Sequence, residues 1–485
     1  MNPSLYQINT KALLSEVGGA SLDDIPDSLL DKLAKDRFDW VWLLGVWTLG
    51  LAGATVSRSN PAWVKEFTQA LPDLTPTDIC GSPFAVWDYT VDPSLGGDHG
   101  LSRFRERLAQ RGLKLLLDFV PNHVALDHPW VETHSHFFIQ GTPEHLKANP
   151  ERWFEHPSGA IFAYGRDPNF PGWPDTLQLN YFNPKLRQAV RSELRRVAGK
   201  CDGVRCDMAM LLEPEVFNET WGNVDLHNPP LQTSFWAEAI GEVREAFPEF
   251  VFVAEVYWNY EHRLQQQGFD YTYDKTLYDR LLGFQPTSVV DHLSSDESYQ
   301  HRMCRFLENH DEPRIAAQLS IEQHRAAAAL SFLAPGMRLL HHGQLTGKRI
   351  KIPIHLRRGP SEKVDDRIAG MYCELIPLIN SVISKEGRWQ LLKTVPAWDG
   401  NQTHRNFICY LLTHDTGHLL LAVNYAHDRG QSYIRLPALD LPERVYLRDT
   451  LSTNTYVRDG LQLTTQGLYL DVEGFTTHAF LIERL

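Results

Sequence analysis

Short apolar runs alternate along this chain with stretches whose apolar positions recur every three or four residues. DWVWLLGVW (39–47), LKLLLDFV (113–120), CDGVRCDMAM (201–210), FVFVAEVYW (250–258), CRFLENHD (304–311) and MRLLHHG (337–343) read as strands. Between them, DHGLSRFRERLAQRG (98–112) sets Leu101, Phe104 and Leu108 on one helical face and stops at Gly112. NPKLRQAVRSELRRVAG (183–199) opens on Asn-Pro and ends in Gly, the start and stop of a helix. FWAEAIGEVREAF (235–247), EQHRAAAALSFLAPG (322–336) and VDDRIAGMYCELIPLINSVI (364–383) are helical patterns too. Strands followed in turn by helices predict a parallel sheet with crossover helices. About eight such units over roughly 390 residues suit a closed (β/α)8 TIM barrel, an α/β fold, better than an open doubly wound sheet. No GxGxxG or P-loop follows the first strands, which counts against a nucleotide fold.

The rhythm breaks twice. Residues 124–182 are rich in His, Pro, Phe and Trp and predict a small inserted domain after the third strand. Beyond 395, FICYLLTH, HLLLAVNYA, SYIRLPA, VYLRDTL, LYLDV and THAFLIERL are short strands with little helix between them, which predicts a C-terminal all-β sandwich. The expected division is 1–123 and 183–394 for the barrel, 124–182 for the insert and 395–485 for the sandwich.

Composition changes this picture little. The 43% apolar and 22% charged fractions are those of a folded protein. A net charge of −13, with no more than two Lys or Arg in succession, argues against nucleic acid or an anionic membrane as partner. The six cysteines lack metal-like spacing and read as reduced, mostly buried thiols. The N-terminus has no basic start followed by an apolar run, and no apolar stretch is long enough to span a bilayer. The expectation is a soluble, cytoplasmic protein.

The candidate chemistry sits where strands end. LKLLLDFVPNH runs from apolar residues into Asp118, Asn122 and His123. DGVRCD ends in Arg205 and Asp207, FVFVAE in Glu255, and RFLENHD in Asn309, His310 and Asp311. Any one of these is more often a cap, a turn former or a structural ion pair. Four polar strand ends in one chain are another matter, because the mouth of a βα barrel is built from the C-terminal ends of its strands. Retaining glycoside cleavage uses such a set: a carboxylate nucleophile, a second carboxyl kept protonated about 5–5.5 Å away, and further polar groups for sugar hydroxyls. Residues i and i+2 of a strand share a face, so Arg205 would lie beside Asp207 and keep it ionised. An Asp/His cluster in a barrel mouth also fits a metal-dependent hydrolase, and the residues alone leave that open.

Taken in order, the four segments resemble the four short regions of the α-amylase family, glycoside hydrolase family 13. LDFVPNH, GVRCD, VAEVYW and FLENHD match them, and WPDTLQLNYFNP (173–184) is similar to the region that closes the family's inserted domain. The resemblance implies that Asp207 is the nucleophile, Glu255 the acid/base and Asp311 the stabiliser of the transition state. It implies that His123 and His310 bind sugar hydroxyls, that Phe84 in SPFAVWDY stacks on the cleaved sugar, and that Asp118 holds Arg205 or His123 in place. It implies α-glucosides as substrates and no organic cofactor. Calcium stays open, with Asn122 and Asp175 as the residues to hold it. Met210 and Leu211 stand where many members carry Lys-His, which implies a less polar leaving-group side and a preference for short substrates. IKIPIHLRRGP (350–360) could suggest phosphate as acceptor, but such a charge run reads as a solvated face. A non-catalytic binding barrel is the other alternative, and the intact triad argues against it.

Overall fold

The computed structural model describes residues 1–224 and 229–484. Eight parallel strands close into a barrel: β1 (Ser4–Asn9), β2 (Trp40–Leu44), β3 (Lys114–Phe119), β4 (Gly203–Cys206), β5 (Val251–Ala254), β6 (Tyr271–Tyr273), β7 (Met303–Arg305) and β8 (Met337–His341). Each strand pairs with the next, and β8 closes on β1 through Ser4↔Arg338 to Gln7↔His341. Two of the eight have no counterpart among the strand-like runs of the sequence. β1 is SLYQIN, in which buried Ser4 and Gln7 interrupt the apolar run. β6 is three residues long, too short for any periodicity. CRFLENHD is strand only at its start, and the chain is irregular from Phe306 onward, which is where Asn309, His310 and Asp311 lie.

The crossover helices fall where the periodicity put them. Gly97–Ala109 buries Leu101, Phe104 and Leu108, and Pro184–Ala198 starts under an Asn183 cap with proline in its first turn. The helix Ile321–Phe332 is buried along most of its length because it packs on the barrel and beneath the C-terminal sheet. The long pattern at 364–383 is one helix, Asp366–Ile379, followed by a second short one from Val382. After β3 the chain leaves the barrel. His123–Ala125 pairs with Thr176–Gln178 at the neck of the insert, and Trp153–Glu155 pairs with Ile161–Ala163 further out.

The C-terminal region has two antiparallel sheets. The larger contains β9 (Arg388–Leu391), β11 (Phe407–His414), β12 (Gly417–Asn424), β14 (Arg444–Asp449), β15 (Thr455–Asp459) and β17 (Thr477–Arg484). The smaller contains β10 (Lys393–Pro396), β13 (Gly430–Arg435) and β16 (Leu468–Val472). Leu411, Leu420 and Phe480 from one sheet and Ile434 and Leu468 from the other share a core, as in a sandwich. β9 and the first half of β10 come from before residue 395. All six cysteines are free thiols; Cys201, Cys206, Cys304 and Cys409 are buried, and Cys373 is exposed. Among the described residues, no helix is long and apolar enough to cross a membrane.

Candidate active site

Four strands deliver the charged groups. Asp118 on β3 and Arg205 on β4 are register partners, and Arg205 is paired on its other side with Val253 of β5. That register puts the guanidinium in the middle of the mouth, fully buried. Its Nη1 lies 2.7 Å from Asp207 Oδ1 and its Nη2 2.7 Å from Glu255 Oε2. Asp118 Oδ1 and Asp311 Oδ2 are each 3.9 Å away. One cation therefore faces four carboxyl groups, where the strand spacing had set Asp207 beside it and the family resemblance had added only Asp118. The rings of Trp42, Phe84 and Tyr273 surround it at 5.6, 5.2 and 5.7 Å. Their π faces add to the attraction and fix the fork.

Glu255 is tied at both oxygens. Met208 N–H donates to Oε2 at 2.8 Å and the Tyr257 hydroxyl donates to Oε1 at 2.9 Å. Met208 adopts φ 42°, a left-handed conformation that a methionine takes only under constraint, and this turns its N–H toward Glu255. Burial pushes the Glu255 carboxyl up to about 8; Arg205 opposes the shift, and Asp207 and Asp311 add to it. Burial is thus the larger cause, and the neighbouring negative charges the smaller one. Asp118 is pushed up to about 7 by burial, again against Arg205.

The two imidazoles are neutral. Burial takes His310 down to about 4 and also lowers His123. Gln7, on β1, donates from Nε2 to His310 Nδ1 at 2.7 Å, which leaves the ring proton on Nε2. That nitrogen lies 3.0 Å from Asp311 Oδ2. His123 packs its ring 5.0 Å from that of Trp173.

Asp207, Glu255 and Asp311 open into one pocket of about 290 Å³, together with Phe84 and His123. Asp118, Arg205 and His310 do not line it. They lie beneath its floor and hold the groups that do. Trp63, Trp173 and Tyr257 supply aromatic walls; Tyr257 follows Glu255 in VAEVYW and Trp173 opens WPDTLQLNYFNP, whereas Trp63, on the helix after β2, lies in no motif. Two expectations are corrected here. Met210 and Leu211 are buried away from the pocket, and the side chain in that wall is Met208. The 350–360 segment is not a solvated face: Ile354 and His355 line the pocket, and Lys351 donates its amine to the Asp311 carbonyl oxygen. Arg358 anchors the segment on Asp78 at 2.7 Å and on Asp73 at 3.1 Å.

The residues do not fit calcium. Asn122 and Gln178 exchange side-chain amide hydrogen bonds at 3.0 and 3.2 Å, so the Asn122 oxygen is occupied. Asp175 faces the His355 imidazole. Calcium takes about six to eight oxygens, and with the Asn122 oxygen engaged by Gln178 only Asp175 of the two offers a free one. Among the described residues, no group of three or more His, Cys, Asp or Glu side chains is arranged to hold a metal.

A family model described as "Alpha amylase, catalytic domain" matches residues 83–358, more than half of the chain. The protein belongs to the α-amylase family. Curated relatives of this α-amylase family member include Alpha-amylase 3 of Dictyoglomus thermophilum, 22% identical over 57% of this chain and 56% of its own length. An α-1,4-glucan:maltose-1-phosphate maltosyltransferase of Bifidobacterium longum is 26% identical over 47% of this chain and 25% of its own length. The chain thus spans about half the length, or less, of the curated relatives it matches. Among solved structures, a maltogenic α-amylase from Thermotoga neapolitana superposes with a TM-score of 0.71 at 20% identity, covering 100% of this chain and 99% of that one. The acarbose complex of an α-amylase from Geobacillus thermoleovorans gives 0.68 at 18% identity, covering 99% and 98%. At these identities the superpositions speak for the fold.

Proposed function

We propose that the protein is a retaining glycosidase or transglycosylase acting on short α-glucosides, with Asp207 as nucleophile, Glu255 as acid/base and Asp311 as stabiliser. One observation carries this reading. Two carboxyl groups sit on the two tips of one buried guanidinium, both at 2.7 Å, and burial raises the Glu255 carboxyl toward its protonated form. Groups held side by side in this way suit the close spacing of a retaining pair, not the wider gap that leaves room for a water.

The steps follow from those positions. Asp207 attacks the anomeric carbon as the glycosidic bond breaks, and Glu255 gives its proton to the departing oxygen. The product is a β-glycosyl ester and a free alcohol. Glu255, now ionised beside Arg205, takes a proton from water or from an acceptor hydroxyl, whose oxygen displaces Asp207. Asp311 accepts hydrogen bonds from hydroxyls of the distorted ring, and His123 donates to another hydroxyl. Short substrates are supported by the pocket volume, which is at the low end of the roughly 300–1,000 Å³ of ligand pockets. The maltosyltransferase among the relatives supports keeping transfer beside hydrolysis.

NMR of the first-formed sugar tests the assignment. The expected product is the α anomer, from two inversions. A β product would rule out the role given to Asp207.

A further inference from the structure

The pocket has a wall opposite Glu255 that these steps do not use. In the closed barrel β5, which leads to Glu255, lies across from β1; β2 and β8 flank β1, and β3 stands next to β2, between the two sides. Three of the residues that the segments after β2, β3 and β8 contribute meet here. Trp63 comes from the helix Pro61–Ala70 after β2, Asp175 from the end of the insert after β3, and His355 from the segment after β8. The His355 ring packs on Trp63 at 4.5 Å and on Phe67 at 5.4 Å. Its Nε2 is 3.6 Å from Asp175 Oδ2, too far for a hydrogen bond. The Asp175 carboxylate is buried, with 3% of its residue surface exposed, and Oδ2 accepts no hydrogen bond from the described residues. A buried carboxylate oxygen without a donor is costly unless a ligand supplies one. All three residues line the same small pocket as Asp207, Glu255 and Asp311.

We infer that this wall recognises the non-reducing end of the substrate. With the anomeric carbon at Asp207 and the leaving oxygen at Glu255, the far edge of the same glucosyl ring points across the mouth. The hydroxyl pair on that edge meets Asp175, which accepts, with the His355 ring beside it. Trp63 fills the space a preceding sugar would need. The enzyme therefore removes terminal α-glucosyl units and does not cut inside chains. This inference rests on the glycosidase reading above and adds direction and chain-end specificity to it.

The test uses an aryl α-maltooligosaccharide and its derivative with the terminal 4,6-diol closed as a cyclic acetal. Wild-type protein should cleave the free-ended substrate, releasing glucose, at least about 100-fold faster than the blocked one, since a site built for hydroxyls rejects analogues without them. Asp175→Asn should lower kcat/KM on the free-ended substrate, mainly through KM, and shrink the ratio between the two substrates. Comparable cleavage of both substrates by wild type, at internal bonds, would overturn the inference and leave the glycosidase reading standing. Cleavage of neither would overturn both. The wild-type comparison decides the matter even if the variant does not fold.

Discussion

At the scale of single residues the site turns on Arg205, which ties Asp207 and Glu255 together while Asp118 and Asp311 stand at 3.9 Å. The two closest carboxyls are asked for opposite things, one charged and one protonated. Asp207→Asn should abolish the covalent intermediate whatever the leaving group. Glu255→Gln should be far milder toward an activated aryl α-glucoside, which needs little protonation to leave, with the ester accumulating because the base for water is gone. Burst kinetics with such a substrate separate the two cases. The pH profile carries a further signature. Glu255 must be protonated for the first step and its carboxyl is raised to about 8, so the rate should fall as pH rises through that value. Glu255→Gln should lose that alkaline limb with activated substrates; if it keeps it, the limb belongs to another group. Arg205→Lys replaces a fork by a point charge and cannot serve both carboxyls. A loss of about 10²–10³ in kcat/KM is expected; near-normal activity would show the fork to be dispensable.

At the scale of elements, what could be read from the sequence depended on whether an element carried its own pattern. Asp118, Arg205, Asp207 and Glu255 were legible because each follows an apolar strand into a sudden polar end. Gln7 was not, because SLYQIN mixes polar and apolar residues although all of it is buried. Its amide nevertheless sets the tautomer of His310, a residue 303 positions away. Gln7→Ala should lower kcat/KM by about tenfold, the worth of one buried hydrogen bond, with the fold intact by circular dichroism. An unchanged rate would show that another group fixes the ring. The 350–360 segment was misread for a different reason: charge counts do not reveal which cations have partners. Arg358 ties the segment to Asp73 and Asp78 in the loop after β2, and Ile354 and His355 then reach the pocket. Arg358→Ala should loosen that wall and raise KM for short substrates more than it lowers kcat. An effect on kcat alone would count against a wall held by this pair.

At the scale of the whole molecule, barrel and C-terminal sheets share one apolar core, with Tyr410, Leu412, Leu421 and Tyr425 in the same cluster as the barrel strands. Tyr410 and Tyr425 also donate their hydroxyls to the carbonyls of Leu330 and Leu281 on crossover helices. The sheets hold the outside of the barrel in place, and the buried charges in its mouth work against that stability. Glu255 is held at about 8 from an ordinary 4.5 and Asp118 at about 7 from 3.8. Between those limits the folded protein keeps protons that the unfolded chain has lost. The favourable contribution is complete below the ordinary values and is lost as pH rises through about 7 and 8. Tm should therefore decline from pH 5 to pH 9 by more than the surface charges alone would cause. Glu255→Gln cannot ionise, so the variant should match wild type near pH 5 and melt higher at pH 9, a gain in stability bought with lost activity. Parallel Tm-against-pH curves for the two proteins would show that Glu255 does not hold its proton in the folded state, and would remove the physical basis for its role as the acid.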